Sequence, residues 1–192
     1  MNKSPLFLER APKLLRRRGE RIGLRDERRC TLKYAQELDE AKGFGEVFEV
    51  ARRAVRNILG EYRAGLSLFL AEMPPHIGAY HEVGTNVIVM NRMLVTMVAE
   101  RAQTRRQTNA FIFAILLHEY LHALGHLDEG EVRALAYRLS REALGEDHEA
   151  TTMAAHGPLT LFPDIMWSRP PPHIEGFEVI KDFDRTNQSY LV

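Results

Sequence analysis

The stretch from Asn109 to Leu124, NAFIFAILLHEYLHAL, is the most informative part of this 192-residue chain. Apolar side chains occupy nearly every position, so a helix formed here would have no polar stripe to turn toward solvent. Such a helix is buried in a core, and the next residue, Gly125, is a typical helix end. The stretch therefore predicts a central, buried helix around which the rest of the domain packs.

Two histidines and a glutamate interrupt this apolar helix, as His118, Glu119 and His122. Histidines at i and i+4 lie one turn apart on the same face, where both rings can reach one Zn²⁺. Glu119, directly after the first histidine, can face a zinc-activated water without being a ligand itself. Because burying three such groups is costly unless they act together, we predict that His118 and His122 bind zinc. Glu119 is then the predicted general base of a hydrolase.

A catalytic zinc usually has three protein ligands, so the pair of histidines needs a partner. His126, Asp128 and Glu142 are the candidates downstream. Gly125 would let the chain turn back under the metal, which a straight helix could not do. Asp128 also has the spacing of a helix cap with Glu131. The spacing alone therefore leaves the three candidates open.

Residues 118–129, HEYLHALGHLDE, resemble the metzincin signature HExxHxxGxxH. The resemblance implies that a glycine ends the active-site helix and that the third ligand follows three residues later, at Asp128. Snapalysin-like members also have Asp there, and astacin-like members have a closely similar run. Glu142 is instead placed like the third ligand of thermolysin-like peptidases. Metzincins also have a methionine turn beneath the metal, which Asp164–Ser168, with Met166, resembles; Met153 is the second candidate.

The remaining pattern predicts a mixed set of elements around the central helix. We expect helices at Glu46–Leu59 and from Val132 to Ala143, one helix within Asn91–Arg106, a strand at Leu66–Ala71, a hairpin of Ile77–Glu82 with Val87–Met90, an irregular stretch from Thr151, and an edge strand or tail at Phe177–Phe183. The metzincin resemblance implies an α+β, zincin-like fold. In it a small twisted sheet packs on the buried active-site helix, and the helix at 46–59 backs that helix. Val87–Met90 would be the sheet edge that aligns a peptide, and the cleft would lie between the sheet edge and residues 146–168.

Charge divides the chain unevenly although the total is zero. Residues 1–33 have eleven Lys or Arg against four Asp or Glu, a net charge of +7, and the remainder has −7. We predict a basic N-terminal arm at 1–45 and a catalytic domain at 46–192 that ends in an extended tail. The arm would lie on its own acidic domain or bind an acidic partner such as a nucleic acid.

Cys30 is the only cysteine, so the chain has no internal disulfide. The N-terminus lacks the apolar segment of a signal peptide, and the run Ala110–Leu117 is too short to span a bilayer. We therefore expect a cytoplasmic protein that does not enter a membrane. Some metzincins are kept latent by an upstream cysteine, and Cys30 between basic residues is a candidate for that role.

These features predict a zinc-dependent metallopeptidase that acts on a peptide or protein substrate. One alternative is a zinc-dependent endoribonuclease, because bacterial enzymes with an HGxxHxxGxxH pattern share the ligand spacing. The other is a non-catalytic regulator that keeps a zinc fold. Glu119 argues against both alternatives, since those nucleases lack a glutamate after the first histidine and a regulator needs no general base.

Overall fold

The computed structural model describes residues 33–184, which form an α+β domain as predicted. Within them the chain forms helices and strands in this order: α1 (33–40), α2 (Phe44–Ile58), β1 (Ser67–Ala71), β2 (Ala79–His81), β3 (Val87–Asn91), α3 (Arg92–Arg101), α4 (Arg105–Leu124), α5 (Glu129–Leu144), α6 (Glu149–His156), a 3-10 turn (Pro163–Trp167) and β4 (Glu178–Ile180). In this part of the chain no helix is long and apolar enough to cross a membrane.

The sheet has the strand order β2-β3-β1-β4. β1 and β3 are parallel in the centre, from Ser67 opposite Val87 to Ala71 opposite Asn91. The predicted hairpin of β2 and β3 is confirmed, and β4 is the predicted edge strand, antiparallel to β1. The prediction that Val87–Met90 forms a sheet edge is wrong, because β3 has a neighbour on each side. The edge on that side of the sheet is β2.

Helix α4 is the buried centre of the domain, as its apolar sequence predicts. It packs against α2, α3, α5, α6 and strand β2. It begins four residues before the predicted start, because the Thr104 hydroxyl accepts a hydrogen bond from the Gln107 amide and so caps the helix. It ends at Gly125, whose φ of 106° is a left-handed conformation that favours glycine. The predicted backing helix is confirmed as α2, which buries its apolar face.

Helix α6 was not predicted, because the sequence after Thr151 has no apolar repeat long enough to indicate a helix. The His148 side chain caps it by accepting a hydrogen bond from the Ala150 amide, and Met153 is buried. Its eight residues are too few to be stable alone, so packing against α4 and α5 stabilises them.

Both ends of the described chain join the same core. Leu38 and Ala41, from the segment predicted to be an arm, are buried, and the Asn109 amide donates hydrogen bonds to their carbonyl oxygens at 2.8 and 2.9 Å. At the other end, Phe183 stacks on Phe48. Cys30 and residues 1–32 lie outside the described part of the chain.

Candidate metal centre

The turn after α4 brings the start of α5 back beside the two histidines. The amides of Gly125 and His126 donate to the carbonyls of His122 and Leu121 at 3.0 and 3.2 Å, which closes the helix end. Asp128 then caps α5, since its carboxylate accepts the Glu131 amide at 2.8 Å. As a result, the first residue of α5, Glu129, faces the histidines.

Three possible ligands converge at this point: His118, His122 and Glu129. The two Nε2 atoms lie 3.2 Å apart. Oε1 of Glu129 is 3.2 Å from Nε2 of His122, and Oε2 is 3.4 Å from Nε2 of His118. The structure therefore confirms that the i, i+4 histidines share one face and present the same ring nitrogen.

These separations match the donor spacing of a tetrahedral zinc site. Two donors at roughly 2.0–2.1 Å from one ion, at a tetrahedral angle, are about 3.3–3.4 Å apart. The separations of 3.2 to 3.4 Å lie close to that value, with Glu129 using Oε1 toward His122 and Oε2 toward His118. Two imidazoles and one carboxylate also form an ordinary donor set for catalytic zinc. The residues present therefore fit a zinc ion.

The orientation of His122 is set from outside the cluster. Its Nδ1–H donates to the carbonyl oxygen of His126 at 2.8 Å, which leaves the Nε2 lone pair free for an ion. The ring of His126 is itself held between Glu61, at 3.0 Å, and Glu131, at 3.2 Å. Mainly because of its hydrogen bond with Glu61, the pKa of His126 is raised.

Glu119 lies next to the cluster in a largely desolvated position, 7% exposed. Burial raises its pKa to about 7, although nearby His122 and the backbone of His81 act in the opposite direction. Burial also lowers the pKa of His118, which favours the neutral imidazole that binds metals. The site therefore places the His118 imidazole, with its lowered pKa, beside a carboxyl group that is able to exchange a proton near neutral pH.

A cavity of about 810 Å³ opens beside these residues. His118, Glu119 and Glu129 line it, together with Ala79 of the edge strand β2 and Gly78 just before that strand. The end of α6 and the residues after it, 153–158, also line the cavity. The cavity adjoins part of the predicted segment 146–168, but the sheet edge beside it is β2 and not the predicted Val87–Met90. Its size suits several residues of a peptide or a ligand of similar volume.

The other predicted ligands have different surroundings. Asp128 is the N-cap of α5, and the ring of His126 is paired with Glu61 and Glu131. Glu142 lies near the C-terminal end of α5 and accepts a hydrogen bond from Arg138 at 2.8 Å. The candidate ligand that sequence reasoning missed is Glu129. Its signal was the capping spacing of Asp128 and Glu131, which assigns Asp128 to the helix and leaves the next carboxylate for the site.

The predicted methionine turn is a single 3-10 turn, and Met166 on it is 46% exposed. Ile165 is the buried residue of that turn. Met153, the second candidate, is buried on α6 and lines the cavity beside the cluster. Met166 thus lacks the buried position that a methionine beneath a metal needs.

Comparisons with protein-family models, curated proteins and solved structures gave no match. The metzincin resemblance therefore rests on residues 118–129, and function has to be argued from the site itself.

Proposed function

We propose that this protein is a zinc-dependent peptidase with a zincin-like domain. The observation that carries the proposal is the convergence of His118, His122 and Glu129 on one point, with Glu119 beside it at the wall of a cavity. Two histidines and a carboxylate, with a further carboxyl group that is not a ligand, form the usual donor set of zinc peptidases.

In this proposal Glu129 replaces Asp128 as the third ligand. Each Nε2 atom of His118 and His122 lies within 3.4 Å of a Glu129 oxygen. The Asp128 carboxylate instead accepts a hydrogen bond from the Glu131 amide of α5. His126 keeps a supporting role, since its carbonyl oxygen orients the ring of His122.

Each residue then has a defined task in hydrolysis. When bound, zinc would polarise the scissile carbonyl group and lower the pKa of a water molecule. Glu119 takes the proton from the attacking water and delivers it to the departing amine. Its burial and its lack of a ligand role keep its carboxyl group free for both transfers.

A peptide is favoured over RNA as the substrate by the strand at the mouth of the cavity. β2 is an edge strand, so its outer backbone groups can pair with an extended peptide. Among the described residues the cavity lining has one arginine and no lysine, so it lacks the series of basic side chains that binds an RNA backbone. These features support the peptidase over the endoribonuclease and the regulator.

Zinc content and cleavage, measured on the same preparations, test the proposal. We expect about one zinc per chain in the wild type and in Glu119→Gln, and little in His118→Ala. A peptide library should be cleaved by the wild type, with Glu119→Gln slower by about 10²–10⁴-fold.

An RNA digestion run in parallel, with circular dichroism to verify folding, completes the design. RNA cleavage that depends on Glu119, without peptide cleavage, would identify a nuclease. Full zinc content in His118→Ala would show that zinc does not bind at the proposed site.

A further inference from the structure

Arg133 stands one helical turn beyond Glu129 on α5 and lines the same cavity. Residues four apart on a helix share a face, so the guanidinium is directed toward the proposed metal site. Its Nε atom lies 3.9 Å from Oε2 of Glu129, an oxygen that is itself 3.4 Å from Nε2 of His118. The guanidinium of Arg133 therefore lies close to the proposed metal site.

The guanidinium is available to a ligand. A separation of 3.9 Å exceeds the 2.7–3.2 Å of a hydrogen bond, so Glu129 does not occupy its donors. Within residues 33–184 the Arg133 side chain makes no hydrogen bond, and it is 75% exposed. Arg138 on the same helix differs, since it donates to Glu142 at 2.8 Å and is not part of the cavity wall.

Arg133 is the one Lys or Arg among the described residues that line the cavity. Several of the remaining positions are small, which leaves space next to the arginine: Gly78, Ala79, Ala134, Ala154, Ala155 and Gly157. An arginine with unused donors beside open space is a typical partner for a carboxylate, which it can hold by two parallel hydrogen bonds.

From this arrangement we infer that Arg133 forms a carboxylate-binding subsite, and that the preferred substrates are peptides with a carboxylate close to the scissile bond. The inference rests on the proposed peptidase function. The carboxylate has two sources, an Asp or Glu side chain or the free C-terminus of the substrate. A C-terminal preference would make the enzyme trim residues from peptide ends.

Three matched peptides separate these sources. The first has acetylated and amidated ends and no charge; the second has one Glu after the scissile bond; the third has a free C-terminal carboxylate. For the wild type, kcat/KM should be about tenfold higher for a charged peptide than for the neutral one, the size expected of a hydrogen bond to a charged group. Arg133→Gln should remove this preference, so that the variant cleaves the three peptides with similar kcat/KM.

Arg138→Gln is the matched control, since it removes the same charge from the same helix outside the cavity, and it should keep the preference. Arg133→Lys should keep part of it, because lysine retains the charge and loses the paired donors. A loss of kcat in Arg133→Gln that is equal for all three peptides would overturn the inference and assign Arg133 to transition-state stabilisation. An unchanged preference in that variant would overturn it too.

A binding measurement separates this inference from the proposed function. In the zinc-loaded Glu119→Gln protein, the ¹⁵N-edited NMR signal of the Arg133 Nε–H group can be assigned by its absence in Arg133→Gln. Acetyl-trialanine with a free carboxylate should shift this signal, and acetyl-trialanine amide should not. Equal shifts, or none, contradict the subsite. Failure of the wild type to cleave any of the peptides would instead contradict the peptidase proposal.

Discussion

Two adjacent carboxylates, Asp128 and Glu129, have separate tasks in the structure. The first caps α5 and the second faces the histidines. Glu129→Gln should weaken zinc binding by more than the 10–100-fold that loss of an outer-shell partner typically causes. Asp128→Asn should leave zinc affinity unchanged, because asparagine is an equally good N-cap. Competition with a chromophoric chelator measures both affinities, and the reverse pattern would restore Asp128 as the ligand.

A second residue-scale effect concerns His148, the buried N-cap of α6. Its Nδ1 accepts the Ala150 amide at 3.0 Å, and its Nε2–H donates to Asp39 at 3.1 Å. Burial lowers the pKa of His148, against the opposing effect of Asp39, while nearby Arg106 lowers it and Glu149 raises it. Protonation would place an N–H group against the Ala150 amide and so disrupt the cap.

The sign of the resulting pH dependence follows from the lowered pKa. The folded protein binds this proton less readily than the unfolded chain, so the stabilisation is complete above the unfolded value of about 6.5. It is lost as the pH falls through the pKa of the folded state. The thermal midpoint should therefore decrease between pH 7.5 and pH 5.5. In His148→Asn, which caps without titrating, the decrease should be smaller; an identical decrease would exclude His148 as a cause.

At the scale of elements, the connection between α4 and α5 decides whether the site is assembled. Gly125 has a φ of 106°, where a residue with a Cβ costs about 1–2 kcal/mol, and nothing else crowds that position. Gly125→Ala should lower the free energy of unfolding by that amount and weaken zinc binding, because residues 126–129 follow from this turn. Urea unfolding of the metal-free protein and the chelator competition measure the two effects.

Gly43→Ala is the matched control for that variant. Gly43 has an extended φ of −169° and no atom within 4 Å of an added Cβ, so alanine brings no strain there and should cost only the weaker N-cap, about 0.5 kcal/mol. Equal destabilisation by both substitutions would show that backbone strain at Gly125 is not the cause.

The same scale explains what could be predicted from the sequence. The central helix, its two histidines and Glu119 follow from a local pattern, because helix periodicity alone places residues four apart on one face. The third ligand depends on how the chain turns after Gly125, so local spacing could not choose between Asp128, His126 and Glu142. Local spacing did not indicate Glu129 either, because its position also depends on that turn.

Two errors in the predicted elements have related physical origins. Helix α6 is stabilised by its contacts with α4 and α5, which leave no periodic pattern in eight residues. The position of β3 in the sheet depends on the order of its neighbours. β1 pairs with β3 in parallel, although a long connection separates the two strands in the sequence. The local pattern of Val87–Met90 therefore could not predict this pairing.

At the scale of the whole molecule, a buried ion pair joins helix α2 to the last described residue. Asp184, with a side chain 1% exposed, accepts a hydrogen bond from Arg52 at 2.8 Å and also accepts the amides of Gly65 and Leu66. Asp184→Ala should cost about 1–3 kcal/mol, because it leaves the amides of Gly65 and Leu66 without their acceptor, while Glu49 still pairs with Arg52. Urea unfolding checks this value.

An exposed ion pair provides the comparison. Arg138→Gln breaks the pair with Glu142 on the surface of α5 and should change the free energy of unfolding by no more than about 0.5 kcal/mol. If Asp184→Ala is no worse than Arg138→Gln, the contacts of Asp184 do not stabilise the domain.

The pairing of β4 with β1 has a consequence for the synthesis of this protein on the ribosome. Arg52 and Asp184 are separated by 132 positions, so at about 5–20 residues per second roughly 7–26 s pass between their translation. During that interval β1 has no partner on the side that β4 will cover, and Arg52 has not yet met Asp184. A nascent chain in this state exposes a strand edge that can pair with other chains. Folding of the sheet can therefore be completed only after the last described residues have left the exit tunnel.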